Sequence, residues 1–498
     1  MYPMSRPFKT KPLQHQLDCL NRHGNKQAFA LLAEQGTGKT WIIINNIAEL
    51  WANNELNGVL VFAPNGVHYN WVLREIPKHM PDWVRHNTCA WSSSQTKADK
   101  QQLERLFGET DTSVLRIFVM NVEALQHKTG IETARKFAAS CSNLMIVLDE
   151  SDAFKNPKAM RTKELMKLKK FSRWRRIMTG TPVSNGPFNA YSQFMFLDEQ
   201  ILRTTSYYAF KAEYAEVLPN EHPLVKNIVR KTGTRFAPQI VARDASGRPR
   251  YRNLDKLTAL LAPHSFRVMK KDCLDLPEKI YKFVWFDMTA EQRRIYNMAA
   301  KENRLALDGE ETPFNRLVAQ TKMMQITSGY YLHPDAAEPV RIPGENPKLQ
   351  LLRERAVAVV EAGEKLIVWA RFRVQIEDIV KVLLEERLDV VQYHGGVSKT
   401  ERNEAIERFE RGEAQVFVGQ QQAGGKGLTL VAASNVFYFS NTYALNDREQ
   451  SEDRAHRIGQ EKEVVYTDFC ARDSIDLECI ETLRSKEVVS EIILGGVV

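Results

Sequence analysis

The sequence predicts an α/β protein made of two units, each a parallel sheet covered by helices. Three observations carry that reading. A glycine-rich octet, Ala33-Glu34-Gln35-Gly36-Thr37-Gly38-Lys39-Thr40, sits between an apolar run and an amphipathic one. From residue 1 to about 265, short apolar runs alternate with longer helical stretches. From Lys365 the alternation begins again, without a second octet of that kind. The 498 residues exceed one ordinary core, so two or three domains are expected.

In chain order, the first unit offers strands at Ala28–Leu32, Val59–Ala63, Leu115–Met120, Leu144–Leu148 and Arg176–Thr179. Each ends at small or polar residues, where an open α/β sheet carries its binding loops. The octet closes the first of these. Its glycines let successive backbone N–H groups of Gln35, Gly36, Thr37 and Gly38 turn inward on phosphate, and the helix from Trp41 adds its dipole. Lys39 reaches the β- and γ-phosphates and Thr40 holds Mg²⁺. Ala33 stands where the strict pattern has glycine.

Leu144 to Asp152 is an apolar strand ending in carboxylates. Beside a phosphate loop, Asp149 completes a Mg²⁺ site and Glu150 orients the attacking water. Met178-Thr-Gly-Thr-Pro182 ends another strand and would lie next to Asp149, either as a plain turn or as a relay of hydrolysis. Gln16, 17 residues before Ala33, matches the donor and acceptor on the edge of adenine, although a surface glutamine has the same look.

Residues 280–350 read as more helical, and the Gly/Pro-rich Arg341 to Pro347 breaks the chain before the second unit. There, strands are expected at Leu366–Ala370, Val390–Tyr393, Ala414–Val418, Asn435–Phe439 and Val464–Phe469. A second glycine-rich turn, Ala423-Gly-Gly-Lys-Gly427, can approach phosphate. On one helix, Gln450, Arg454 and Arg457 would share a face at i, i+4 and i+7 and reach a γ-phosphate across an interdomain cleft. The alternative is a salt-bridged helix surface.

The formal charge of +8 is unevenly spread. Lys155 to Arg176 holds ten Lys/Arg against one acid, and Pro223 to Arg252 eight against one, which suggests a phosphate-facing surface. Ser246 to Arg250 reads as an exposed loop. The six cysteines form no CxxC, and no apolar run approaches a membrane span, so an intracellular protein that does not engage a membrane is expected.

Together these residues resemble the motor of helicase superfamily two, and within it the SWI/SNF-type DNA translocases. Asp453-Arg-Ala-His-Arg-Ile-Gly-Gln460 is the diagnostic stretch. It is supported by the octet, Ala63-Pro64 with Asn70-Trp71 and Glu75, Asp149-Glu150 with Lys155-Asn156, Thr179 to Pro182 with Asn185, Leu276 to Lys279, Gln292 with Tyr296, and Ala423 to Gly427. The resemblance covers nearly the whole chain. It implies two RecA-like lobes with helical protrusions between them: lobe one over 1–265, a crossing segment and protrusion over 266–350, and lobe two over 351–498.

The resemblance further implies ATP and Mg²⁺ as cofactors and a double-stranded or branched DNA partner, bound by a monomer. Its site residues map onto Gln16, Gln35, Gly36, Thr37, Gly38, Lys39, Thr40, Gly427, Gln450, Arg454 and Arg457 for nucleotide and Thr40 with Asp149 for metal. Lys39, Asp149, Glu150, Arg454 and Arg457 fall to catalysis. This sequence departs from the family pattern at Ser151-Asp152, where Ala-His is usual, and at Lys426. With no stretch left for a histone-reading, nuclease or zinc module, a bare motor is expected. A strand-separating DNA or RNA helicase is the alternative. An inactive scaffold and a small-molecule kinase fit less well, given the intact Lys39, Asp149 and Arg457 and the second unit.

Overall fold

The computed structural model describes residues 6–184, 186–234, 237–244, 248–310, 313–331, 338–424 and 428–495. The chain forms two compact units. One comprises residues 1–217, 241–275 and 488–498, the other 218–240 and 276–487.

The first unit holds seven strands: β1 (Ala28–Ala33), β2 (Gly58–Ala63), β3 (His86–Ala90), β4 (Leu115–Asn121), β5 (Leu144–Asp149), β6 (Ser172–Thr179) and β7 (Ser265–Val268). They lie in the order β3-β4-β2-β5-β6-β1-β7, every pair parallel. Both faces are covered, so the inner strands are apolar throughout rather than alternating. Leu60, Phe62, Ile146 and Leu148 enter the core on one face, and Val59, Val61, Met145 and Val147 enter it on the other.

That strand order is what builds a site. β5 and β6 are inserted between β2 and β1, so the carboxyl ends of β1, β5 and β6 stand side by side. In register, Leu32 faces Thr179 and Asp149 faces Met178. Three loops far apart in sequence thereby meet at one edge, as expected at a topological switch point.

In the second unit, β8 (Lys279–Phe286) precedes helices Ala290–Glu310 and Pro313–Thr327 and a short antiparallel ribbon of β9 (Tyr330–Tyr331) and β10 (Val340–Arg341). Then come β11 (Leu366–Ala370), β12 (Val390–Tyr393), β13 (Val416–Gln420), β14 (Asn435–Tyr438) and β15 (Val464–Ala471). The parallel sheet runs β12-β13-β11-β14-β15-β8. Ile367 and Trp369 pack to one side of it, Leu366, Val368 and Ala370 to the other.

All ten strands expected from the sequence form, with small shifts at their ends. Five further strands form among the described residues that the apolar runs did not reveal: the two-residue pair β9 and β10, and β3, β7 and β8 in the parallel sheets. The last three are each an edge strand. An edge is less buried and needs no continuous apolar run, as in His86-Asn-Thr-Cys-Ala90. Among the described residues, no helix is long and apolar enough to cross a membrane.

Candidate active site

The octet forms a tight loop between β1 and helix Lys39–Ala52. Gly36 (φ +83°) and Gly38 (φ +82°) are both left-handed, a conformation that suits glycine. At Gly38 there is a second reason: a Cβ there would collide with the Gln16 amide. Gln16 is thus placed against the loop, and its neighbour His15 adds a bond of 2.8 Å between Nε2 and the Thr37 carbonyl. Thr37 Oγ1 donates to the Glu34 carbonyl at 2.8 Å. Lys39 is buried, its Nζ donating to the carbonyls of Ala33 (2.8 Å) and Glu34 (3.3 Å). Thr40, the next helical residue, is half-buried. Two ties to the far edge of the sheet hold the base of the loop. Glu34 N–H donates to the Val268 carbonyl at 3.0 Å, and the Lys270 N–H donates to Glu34 Oε2 at 2.7 Å.

Asp149 and Glu150 arrive beside this loop. The buried Asp149 carboxylate accepts a 2.8 Å bond from Trp71 Nε1. Burial pushes its carboxyl up to about 6, the Glu150 charge adds to the rise, and the Trp71 bond and Lys39 cation oppose it. A carboxylate so strained by desolvation gains from a cation placed against it. Glu150 sits at φ +52°, uncommon for a residue with a side chain, and its Oε1 accepts from Gln35 Nε2. Its Oε2 is buried with no hydrogen-bond partner among the described residues. Two left-handed glycines, a buried lysine, a strained carboxylate and a carboxylate oxygen without a partner fit a Mg²⁺–nucleotide.

The unusual Ser151-Asp152 pair is built into the next loop. Ser184 Oγ donates to Asp152 Oδ1 at 3.0 Å, Lys155 Nζ to Oδ2 at 2.8 Å, and Ser151 Oγ to Gln193 Oε1 at 2.5 Å. The Thr179 to Pro182 turn leads into Ser184, and Gly180 lies against the Ala33 carbonyl and Glu34. The turn thus touches the base of the octet, and Ser184 beyond it is bonded to Asp152.

In the second unit the arginine stretch departs from the expected single helix. The helix spans Leu445–Glu452 only, so Gln450 is helical while Arg454 and Arg457 lie in the turns that follow. Side-chain anchors override helix continuation here. His456 Nε2 bonds the Pro277 carbonyl at 2.7 Å, and Gln460 Nε2 donates to the carbonyls of Val431, Ala433 and Ala455. The two arginines still converge: Nη1 of each donates to the Leu428 carbonyl, at 3.2 Å from Arg454 and 3.1 Å from Arg457. Arg457 Nη1 also reaches Thr429 Oγ1 at 2.9 Å. Gln450 Nε2 turns to Asn446 Oδ1 at 3.0 Å. Gly427 and Lys426, like Asn185, lie outside the described residues.

Beneath that stretch is a buried charge network that the sequence did not reveal. Glu452 accepts from Arg448 (2.8 Å), Lys279 (3.1 Å) and the Tyr281 hydroxyl (2.8 Å), and Arg448 also pairs with Asp468 at 2.6 Å. Burial alone would raise the Glu452 carboxyl, but Lys279 and Arg448 outweigh it and hold it at about 2. A depressed carboxyl stabilises the fold above its ordinary value of 4.5, and that contribution is lost as pH falls towards 2. Glu452→Gln is expected to cost about 3 kcal/mol at pH 7, since it breaks a buried pair. In urea denaturation, the gap to the natural protein should close between about pH 4.5 and 2. A gap of constant size would mean that shape, not charge, holds this network.

Part of the basic run at 155–176 is spent inside the first unit, while Lys158, Lys163, Lys167, Lys170 and Arg173 are exposed. Arg176 is fully buried and bonds Asn46 Oδ1 (2.9 Å) and the Gln27 carbonyl (3.0 Å). Arg175 donates to the Leu197 carbonyl at 2.6 Å, Lys169 to that of Met195 at 2.7 Å, and Lys167 pairs with Glu164 at 2.6 Å. For Arg176, Arg175 and Lys169 the phosphate-facing reading gives way to a structural one, whereas Lys167 remains exposed. Trp71, tying Asp149 in place, is the site residue whose role sequence reasoning missed. Its signal was an apolar, buried indole close behind β2, which says nothing of its N–H.

The SNF2-related domain matches residues 15–329, and the helicase conserved C-terminal domain matches residues 347–459. The chain is similar to YwqA of Bacillus subtilis (strain 168), 26% identical over 70% of this chain and 35% of that protein. It is similar to the ATP-dependent DNA helicase DDM1 of Arabidopsis thaliana, 23% identical over 93% of this chain and 59% of the relative. The ATP-dependent helicase FUN30 of Saccharomyces cerevisiae (strain ATCC 204508 / S288c) is 24% identical, over 93% and 44%. The chain spans between about a third and three-fifths of the length of these curated relatives. A solved Sulfolobus solfataricus SWI2/SNF2 ATPase core in complex with dsDNA covers 98% of this chain and 94% of its own, at 22% identity and a TM-score of 0.40, a likeness too weak to build on. With the SNF2-related domain matching well over half of its length, the chain belongs to the SNF2-related family.

Proposed function

We propose that the protein is a DNA-dependent ATPase that translocates on double-stranded DNA without separating its strands. The observation that carries the ATPase reading is the meeting, at one sheet edge, of the phosphate loop, the Asp149–Glu150 pair and the Thr179 turn. DDM1 and FUN30 are named as ATP-dependent helicases, and DDM1 as one for DNA, which supports extending nucleotide hydrolysis and a DNA partner to this chain.

In this reading Gln16 binds the adenine edge, and Gln35 to Gly38 turn their N–H groups on the phosphates. Lys39 neutralises the β- and γ-phosphates. Thr40 and Asp149 would hold Mg²⁺, which when bound would neutralise phosphate charge. Glu150 orients a water for in-line attack on the γ-phosphorus, so the bond to the bridging oxygen breaks and ADP leaves. Arg454 and Arg457 stabilise the charge on the transferring group, with Gln450 and Gly427 in the same nucleotide-binding set.

Translocation asks for no base-pair rupture, which costs about 1–2 kcal/mol of stacking per step. ATPase rates with double-stranded DNA, single-stranded DNA, forked DNA and RNA, measured side by side, should be highest with duplex. A third strand should be displaced from a triplex while a tailed linear duplex stays paired. Efficient unwinding of plain duplex would favour the strand-separating helicase instead.

A further inference from the structure

The first unit carries a small antiparallel ribbon that is not part of its sheet. Bridges pair Ala215 with Tyr251, Val217 with Val241 and Arg243 with Pro249. Backbone bonds run from Glu216 N–H to the Arg250 carbonyl (3.0 Å), from Arg250 to Ala242 (2.9 Å) and from Arg252 to Tyr214 (3.1 Å). Of the expected exposed loop at 246–250, residues 246 and 247 lie outside the described residues, Arg248 and Arg250 are exposed, and Pro249 is bridged to Arg243.

Strand alternation puts Arg248, Arg250 and Arg252 on one face and Pro249 and Tyr251 on the other. The inner face is anchored. The Tyr251 ring meets Phe188 edge-on at 5.8 Å, and a Cβ on Gly186 (φ +109°) would collide with the Tyr251 hydroxyl. All three arginines of the outer face are exposed. They recur every second residue, about 6.6 Å apart, and span about 13 Å. Arg250 pairs with Glu216 at 3.2 Å, an ion pair half open to solvent that a stronger anion displaces readily. Arg252 rests on the Ala212 carbonyl.

A row of exposed arginines at every second residue can meet successive phosphates along one strand of nucleic acid, each fork able to take two phosphate oxygens. An acidic peptide would want apolar pockets between the charges, and here the apolar residues of the strand face inward. We propose that Arg248, Arg250 and Arg252 form a phosphate-binding strip that grips the backbone of the DNA on which the protein acts. This deepens the translocase reading and rests on it. The strip also lies close to the ATP-binding loops in the fold's wiring. Gly186 follows Ser184, which bonds Asp152, and Asn189 Nδ2 donates to Ser184 Oγ at 3.3 Å.

The test measures affinity of the full chain for duplex DNA across a salt series, with ATP turnover measured in the absence of DNA. Each phosphate contact contributes about 0.9 to the slope of log K against log salt on B-DNA. The triple variant Arg248→Gln, Arg250→Gln, Arg252→Gln should lose about 2–3 from that slope and keep its DNA-free turnover. The matching triple lysine variant should keep most of the slope, because charge is retained. A glutamine variant with an unaltered slope would overturn the strip while leaving the translocase reading standing. So would a lysine variant that loses as much as the glutamine one, since charge would then not be what the strip supplies. If the natural protein bound no DNA at all, the strip would fall together with the functional reading.

Discussion

Lys39→Ala is expected to abolish ATP turnover, by more than about 10³-fold, while DNA binding stays largely intact. In the proposed site Lys39 is the cation of the loop, and helix Lys39–Ala52 begins with it. Its Nζ is held by the Ala33 and Glu34 carbonyls, so it is aimed along the loop and not into solvent. Alanine keeps the helix and both left-handed glycines but removes the charge that the β- and γ-phosphates require. The side chain contributes two bonds to backbone carbonyls, so the fold should lose little, and thermal melting should show it. Turnover near that of the natural protein would mean that the octet is only a structural turn.

Arg457→Ala should retain ATP binding and lose about 10³-fold or more of the DNA-stimulated rate, the contribution of an arginine finger. Arg454→Ala should lose comparably. The structure separates the two in stability. Arg454 is 6% exposed, and its truncation should also lower the melting temperature. Arg457 is less buried and should fold as the natural protein does. Arg457→Lys should recover little of the rate, because a point charge lacks the fork that takes two phosphate oxygens. An unchanged stimulated rate in both alanine variants would take this stretch out of catalysis. The measurement is steady-state hydrolysis at saturating duplex, with nucleotide binding checked separately.

The residues that could be read without coordinates were those whose signal is local. A strand buried on both faces has to be apolar along its whole length, and Leu144 to Leu148 announces itself. A backbone that must curl around phosphate needs glycine at set positions, and Gly36 and Gly38 mark the loop. Edge strands such as β3 and β8 face solvent and carry no such requirement, so nothing in their sequence demanded a strand. Charge was the least legible property. Ten basic residues in one run looked like a surface, yet Arg176 is fully buried among carbonyls and Asn46, because partners distant in sequence satisfy it. Arg454 and Arg457 keep company through the Leu428 carbonyl rather than through helical spacing. The sequence alone determined the composition of the loops and the period of the strands. The order of the strands, and with it the meeting of Lys39, Asp149 and Thr179 at one edge, was decided by tertiary pairing, since which strand lies beside which depends on contacts that no local run of residues encodes.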